Sequence, residues 1–345
     1  LFLILYTTED LTGLGAVTGT VTLTIDGATV VGDNANEDSG DVYGGGESSD
    51  ATGDVNVHIL NGSMTDVYGG GKGQTTVVGG DVVVNIGAKD GGGALSGSGA
   101  VKGSVYGGSA LGVVNAISTK DANGDITGYT PTANKTTHLN IYKGTVTGSV
   151  FGGGLGQLAS ADPVQAAIAA QNFGDAIISM EGGSVGDAIY GGANVNGVLK
   201  SGAEVTLLGG TIGDSENASR DVVFGGGKGE PTLVNGDVLV NVGNSTHIGT
   251  AIIYGNVYGG SALGHTNATS SVAFNADKTT NVNLYAGTIN GNVFGGGLGR
   301  KYAAAVAADP EHGVEAQSEV DAVESFVGGD VTVILDGAKV HQVFG

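Results

Sequence analysis

The sequence predicts an all-β fold, a single-stranded parallel β-helix (β-solenoid) of about nine coils, with short helical excursions from the stack. Three observations predict it. Short runs of alternating aliphatic residues recur along the whole 345-residue chain, and period-two alternation marks a strand with one buried face. An aliphatic–aromatic–glycine triplet returns nine times, at Tyr43, Tyr68, Tyr106, Phe151, Tyr190, Phe224, Tyr258, Phe294 and Phe344. Whole stretches are also duplicated: "DVYGGGKGQTTVVGGDVVVNIG" at 66–87 returns as "DVVFGGGKGEPTLVNGDVLVNVG" at 221–243. A unit that returns every 25 to 50 residues is a unit of construction, a coil that buries its apolar face only against its neighbours.

Each coil opens with the alternating strand, as in "VTLTIDG" from Val21, "VNVHILNG" from Val55, "VVVNIG" from Val82 and "LNIYKG" from Leu139. "VNLYAG" from Val282 and "VTVILDG" from Val331 repeat the pattern, and the closing glycine reads as a turn. The aromatic triplet follows. Alternation puts the residue before each ring (Val42, Val67, Val105, Val150, Ile189, Val223, Val257, Val293, Val343) on one inward ladder. The ring then shares the opposite face with a polar residue two places earlier: Asp41, Asp66, Ser104, Ser149, Asn256 or Asn292. The ring ladder is therefore expected outward or under a loop, with mutual stacking as its main role and a sugar-binding strip as the sharper alternative. Tyr and Phe share the position, so a hydroxyl is not required throughout. At 4.8 Å per coil, nine coils make a rod roughly 40 Å long.

The triple glycines suit a corner with positive φ and close approach of adjacent coils. Asp54, Asp81, Asp175, Asp237 and Asp330 each follow a glycine at a strand start, where a carboxylate bonds nearby amides of a turn. A solvated turn row is the expected reading, with calcium as the alternative.

A longer period lies above the coil. "GGGKG", "VYGGSALG" and "VFGGGLG" begin at 69, 105 and 150 and again at 225, 257 and 293. The chain thus reads as one continuous solenoid over 1–345, with four-coil blocks at approximately 66–220 and 221–345 (incomplete) and 1–65 as the end of a preceding block. After each "VFGGGLG" comes a stretch with helical signals, near 162–173 and 309–325. Asp162 is placed to cap and Pro163 to start the first, Gly174 to stop it, and Asp309-Pro310 repeats the start. Both helices are expected on the same side of the stack. "LFLILY" at the N-terminus is too short for a membrane span and unlike a signal peptide. The motif breaks off at Gln342–Gly345, which suggests a piece of a longer array.

Composition excludes whole classes. Glycine supplies 68 residues but without a period of three, and four prolines rule out collagen. With no cysteine there is neither a disulfide framework nor a thiolate metal site. The net charge of −21 lacks the basic stripe a nucleic-acid binder needs, and it leaves calcium as a candidate partner. "GGGKG" is not a phosphate loop, because Gly73 and Gly229 stand where Ser or Thr is required. The calcium nonapeptide GGxGxD fails four times, with Thr75, Leu158, Pro231 and Lys301 in place of its Asp. The histidines share no repeat position: His138 faces Asn281 and His265 faces Val113 in the sister block. No cofactor is called for, and no catalytic residues stand out.

The alternating strands, glycine-rich corners and imperfect coils resemble bacterial secreted β-helix surface proteins of the haemagglutinin-like adhesin and autotransporter-passenger type. The resemblance is architectural and covers nearly the whole chain; of the chlamydial polymorphic outer-membrane repeats only "GGAN" at 191–194 comes close, departing at Asn194. It implies a non-catalytic, extracellular rod at the bacterial cell surface, used for adhesion or as a scaffold. Its expected partners are further coils of the same chain or end-to-end self-association, and host or matrix glycans or proteins. The alternative is a carbohydrate-active β-helix (lyase, hydrolase or tailspike-like), whose carboxylates would meet across coils. An ice-binding solenoid is a third reading, for which "TGTVTLT" at 18–24 is a local array that later coils do not continue.

Overall fold

A computed structural model describes residues 16–27, 30–32, 40–217, 219–305 and 318–345. The chain winds into a parallel β-solenoid. Four parallel sheets of nine, seven, nine and six strands run along the stack, one strand of each per typical coil. The first coil described in full begins with the long strand Val55–Ile59, then the short Ser63–Met64, the aromatic strand Val67–Tyr68 and the fourth strand Val77–Val78. Val82–Ile86 then starts the next coil on top of Val55–Ile59.

Pairing is in register, so like stacks on like. Val55, Val57 and Ile59 lie opposite Val82, Val84 and Ile86, which lie opposite Thr137, Leu139 and Ile141. Within the interior long strands Val55–Ile59, Val82–Ile86 and Thr137–Ile141 the first, third and fifth residues are buried and the two between are half-exposed. β-Branched side chains suit that half-buried pleat. The aliphatic residues of the long, short and aromatic strands meet in one central core that includes Val67, Met64, Val105, Val150, Ile189 and Val257. Only at the last coil does the ladder surface: Val343 is 38% exposed.

The triple-glycine corners need room, not unusual torsion. A Cβ on Gly69 would overlap the carbonyl oxygen of Gly107 in the next coil and come within 2.5 Å of Val82 Cγ1. The expected positive φ is displaced along the corner, to Gly73 and Gly229 and, in sister coils, to Leu111, Val195 and Leu263. At these five positions the chain turns through the left-handed region, where a non-glycine residue is strained.

The first of the two expected helical excursions is not a helix. Among the described residues there is no helix, and 162–173 forms a hairpin, Ser160–Ala161 against Val164–Gln165, followed by Ala170–Asn172. Gln157 and Ile168 exchange both backbone hydrogen bonds, at 2.7 and 2.9 Å. Ala170–Asn172 then fills the fourth-sheet place between Val113–Val114 and Gly197–Leu199. A helix would leave those ladder positions empty, so tertiary pairing overrides the capping signals. Of the second excursion, 306–317 lies outside the described residues; 318–325 is extended, with Val320 and Val323 paired antiparallel to Ala303 and Arg300. Gln157 and Arg300 occupy equivalent corners, so the two excursions do leave alike. A further pair of hairpins, Ala116–Lys120 with Ile126–Pro131 and Ala268–Ser270 with Ala273–Phe274, follows each "VYGGSALG" coil.

Candidate functional site

The nine aromatic residues form one uninterrupted stack from Tyr43 to Phe344. Successive centroids are 4.7–5.0 Å apart and planes differ by 3–12°. The spacing follows from the strand pairing: each triplet lies in register with the next, so each ring must lie on its neighbour. The stack lies across its sheet from the central aliphatic core, and from Tyr68 to Tyr258 it is buried beneath a ladder that includes Ala110, Leu155, Ala262 and Leu298. Ring faces are occupied by other rings, which leaves no platform for a sugar along the side of the stack. Lys72 and Lys228 sit beside it, their ammonium groups 5.7 and 5.5 Å from the Tyr43 and Tyr190 centroids.

The polar residues that precede the rings tie coil to coil. Asp41 accepts the Asp66 amide at 3.2 Å and Asp66 accepts the Ser104 amide at 2.5 Å. The Ser104 hydroxyl accepts the Ser149 amide at 3.1 Å, and Asn256 accepts that of Asn292 at 2.7 Å. Tyr43 and Tyr258 donate to Asp41 and Asp221. Burial raises the Asp66 carboxyl, with the Asp41 charge adding to it against the Ser104 hydrogen bond.

Burial also pushes the Tyr106 phenol up to about 12, and it raises Tyr43, Tyr68, Tyr190 and Tyr258 further. A phenol whose folded pKa exceeds its unfolded value of about 10 stabilises the fold fully below pH 10, and this is lost as pH climbs through the folded value. Absorbance at 295 nm with circular dichroism during alkaline titration is therefore expected to show these five phenols ionising well above pH 10, together with loss of β-structure. Reversible ionisation of all tyrosines near pH 10 with the fold intact would contradict it.

The aspartates at the strand starts bond between coils, not within their own turns. Asp54 accepts the Asp81 amide at 2.9 Å, Asp81 that of Thr136 at 2.8 Å, Asp175 that of Gly202 at 2.7 Å and Asp237 that of Thr279 at 2.8 Å. Lys135 bridges Asp54 and Asp81, both at 2.8 Å, and its hydrogen bond, with that from the Asp81 amide, holds Asp54 below the usual carboxylate range.

One block further along the chain, where 66–220 meets 221–345, this arrangement opens into a groove. Gly202 and Glu204 replace Asp54 and Asn56, and Lys278, the counterpart of Lys135, reaches Asp237 at 3.1 Å. The groove, about 420 Å³, is lined by Asp175, Glu204, Asp237, Lys278, Asn281 and the aliphatic Ile177 and Leu239. Among the described residues no three His, Asp or Glu side chains converge as metal ligands, and no helix is long and apolar enough to cross a membrane.

Two features escaped the sequence reading. Asn115 and Asn267 are fully buried with φ of 61° and 53° and clamp equivalent corners of the two blocks. Asn115 Nδ2 donates to Gly80 O and Thr136 O at 2.9 and 3.0 Å while its Oδ1 accepts from Thr137 Oγ1 at 2.9 Å. Asn267 repeats this with Gly236, Thr279 and Thr280. The signal was present: Thr137 and Thr280 put a hydroxyl where other long strands put Val or Ala inward. The second feature is an outward amide ladder, in which Asn140 donates to Asn85 at 2.9 Å and Asn283 to Asn241 at 3.0 Å.

Comparison with family models, curated proteins and solved structures found no match.

Proposed function

We propose that this chain is a non-catalytic segment of a structural, adhesive rod on the extracellular surface of a bacterium. The observation that carries the reading is the uniformity of the stack: one pairing register runs from the first long strand to the last, and the aromatic column follows it without a break. Such a body is stiff along its axis and exposes strand edges only at its ends. In this reading its partners are further coils of the same kind or a second copy, paired through the strand edges that a solenoid presents at its ends. Host or matrix glycans or proteins are the attachment partners in this reading.

One observation favours a second reading, a carbohydrate-active β-helix. Asp175, Glu204 and Asp237 line one groove from three successive coils, so the outer two are about 10 Å apart by coil spacing. Incubation with a panel of acidic and neutral polysaccharides separates the two. The rod reading expects no new reducing ends or unsaturated products, and elongated particles that lengthen with protein concentration in sedimentation and electron microscopy. Cleavage abolished by D175N, E204Q or D237N would replace it with the enzyme.

A further inference from the structure

The two blocks differ at one buried corner in a way that adds a titratable group. In the first block Val113 and Val77 pack with Ala116 of the hairpin and with Ile126, Tyr129 and Phe173, an apolar cluster. In the second block His265 takes the place of Val113 and is almost fully buried. Its imidazole lies against Phe326 with centroids 5.8 Å apart and meets Phe274 edge-on, also at 5.8 Å; the two phenyl rings are 5.4 Å from each other.

Phe326 belongs to a strap, 318–328, that leads directly into the last long strand. Several hydrogen bonds fasten the strap. Thr266 and the strap exchange backbone hydrogen bonds, Thr266 N to Phe326 O and Gly328 N to Thr266 O, both 2.9 Å. Ser325 Oγ bonds to the carbonyl oxygens of Ser261 and Gly264 at 2.8 and 2.7 Å. Val320 and Val323 exchange backbone hydrogen bonds with Ala303 and Arg300, and at the corner the Phe326 amide donates to His265 Nδ1 at 3.2 Å. Nδ1 accepts only while it carries no proton. A second proton on the ring turns this acceptor into a donor facing a donor and buries a charge beside two phenyl rings.

We propose that His265 is a proton-sensitive latch: neutral, it holds the strap at Phe326, and protonated, it releases the strap and loosens the final coil. The surroundings are consistent with an imidazole kept neutral. The hairpin 268–274 brings no ionisable group. On the neighbouring coil Glu230 is paired with Arg300 at 2.8 Å, and from the strap Glu324 lines the same hollow. Asp321 engages Arg300 through its carbonyl oxygen. Burial lowers the His265 pKa. With the folded pKa below the ordinary value of about 6.5, the stabilisation is fully present above pH 6.5 and is lost as pH falls toward the folded value, by up to about tenfold in the opening equilibrium per pH unit.

Amide exchange by mass spectrometry on the full chain, corrected for the chemical exchange rate, tests this at pH 7.5 and 5.0. Opening of 322–329 is expected to rise about tenfold or more at pH 5.0, while the sister strap at 168–173 changes less than about twofold. H265V, which installs the residue of the sister corner, and H265N, which keeps an acceptor without the proton, should both abolish the rise. H247N should keep it, although His247 Nε2 lies 3.2 Å from Asp336 in the same final coil. An equal rise in both straps, a rise that survives in either His265 variant, or its loss in H247N would overturn the latch.

Discussion

Alanine at Gly225 should lower stability by about 3 kcal/mol or more, a large effect for one added methyl group. The new Cβ would overlap the carbonyl oxygen of Gly259 in the next coil and lie 2.5 Å from Val238 Cγ1 and 3.0 Å from Val240 Cγ2. None of these atoms can move alone. The carbonyl is part of the ladder, since the Gly225 amide donates to Tyr258 O at 3.0 Å one residue away, and both valines are fully buried. Relief therefore requires coils to separate, which lengthens hydrogen bonds and opens the ring stack at Phe224–Tyr258. The control is G128A: that glycine meets nothing within 4 Å of its would-be Cβ and lies outside the positive-φ region. It should be neutral, or stabilising by up to about 1 kcal/mol through the unfolded state. Thermal and denaturant midpoints measure both, and equal effects of the two substitutions would remove close coil approach as the reason for the glycine column.

N115A is the second large effect, expected to cost about 3–5 kcal/mol. The substitution removes three hydrogen bonds at a fully buried position: Gly80 O loses its side-chain donor, Thr136 O keeps the Val82 amide at 3.0 Å and the Thr137 hydroxyl keeps Asn172 Nδ2 at 3.3 Å. It also places alanine at φ 61°, a conformation asparagine tolerates better. N267A should match it closely, because Asn267 makes the same set of bonds in the other block. N123A, in the exposed hairpin turn, should shift the midpoint by no more than about 0.5 kcal/mol. If N115A proves as mild as N123A, the corner is held by backbone pairing and not by the clamp.

Both predictions rest on groups that sequence reading saw unequally. The glycine column was legible as a recurring "GG" after each ring, but its cause was assigned in part to torsion, and the structure moves the positive φ to Gly73, Leu111, Val195, Gly229 and Leu263. Torsion depends on how the corner closes, which composition does not reveal. Asn115 was passed over because one polar residue in a loop-rich stretch looks like any other; only its burial against Thr137 makes it a clamp. The groove at Gly202 and Glu204 was equally hidden. Its residues come from separate coils, and an Asp-to-Gly exchange between the blocks becomes meaningful only when Lys135 and Lys278 are seen to span neighbouring coils.

By itself the sequence determined the parallel solenoid, the inward aliphatic ladder and the corners at which the two excursions after "VFGGGLG" leave the stack. Those properties depend on period-two alternation and on repetition, and both are local or countable along the chain. What only the tertiary structure decided is the conformation of 162–173, the coil-to-coil reach of the aspartates and the burial of the ring column under its own corner. For the first two the deciding partner lies one coil away, 25 to 58 residues off in sequence. Stacking at 4.8 Å makes such distant residues nearest neighbours, and their hydrogen bonds outweigh the capping and turn preferences that act within a few residues.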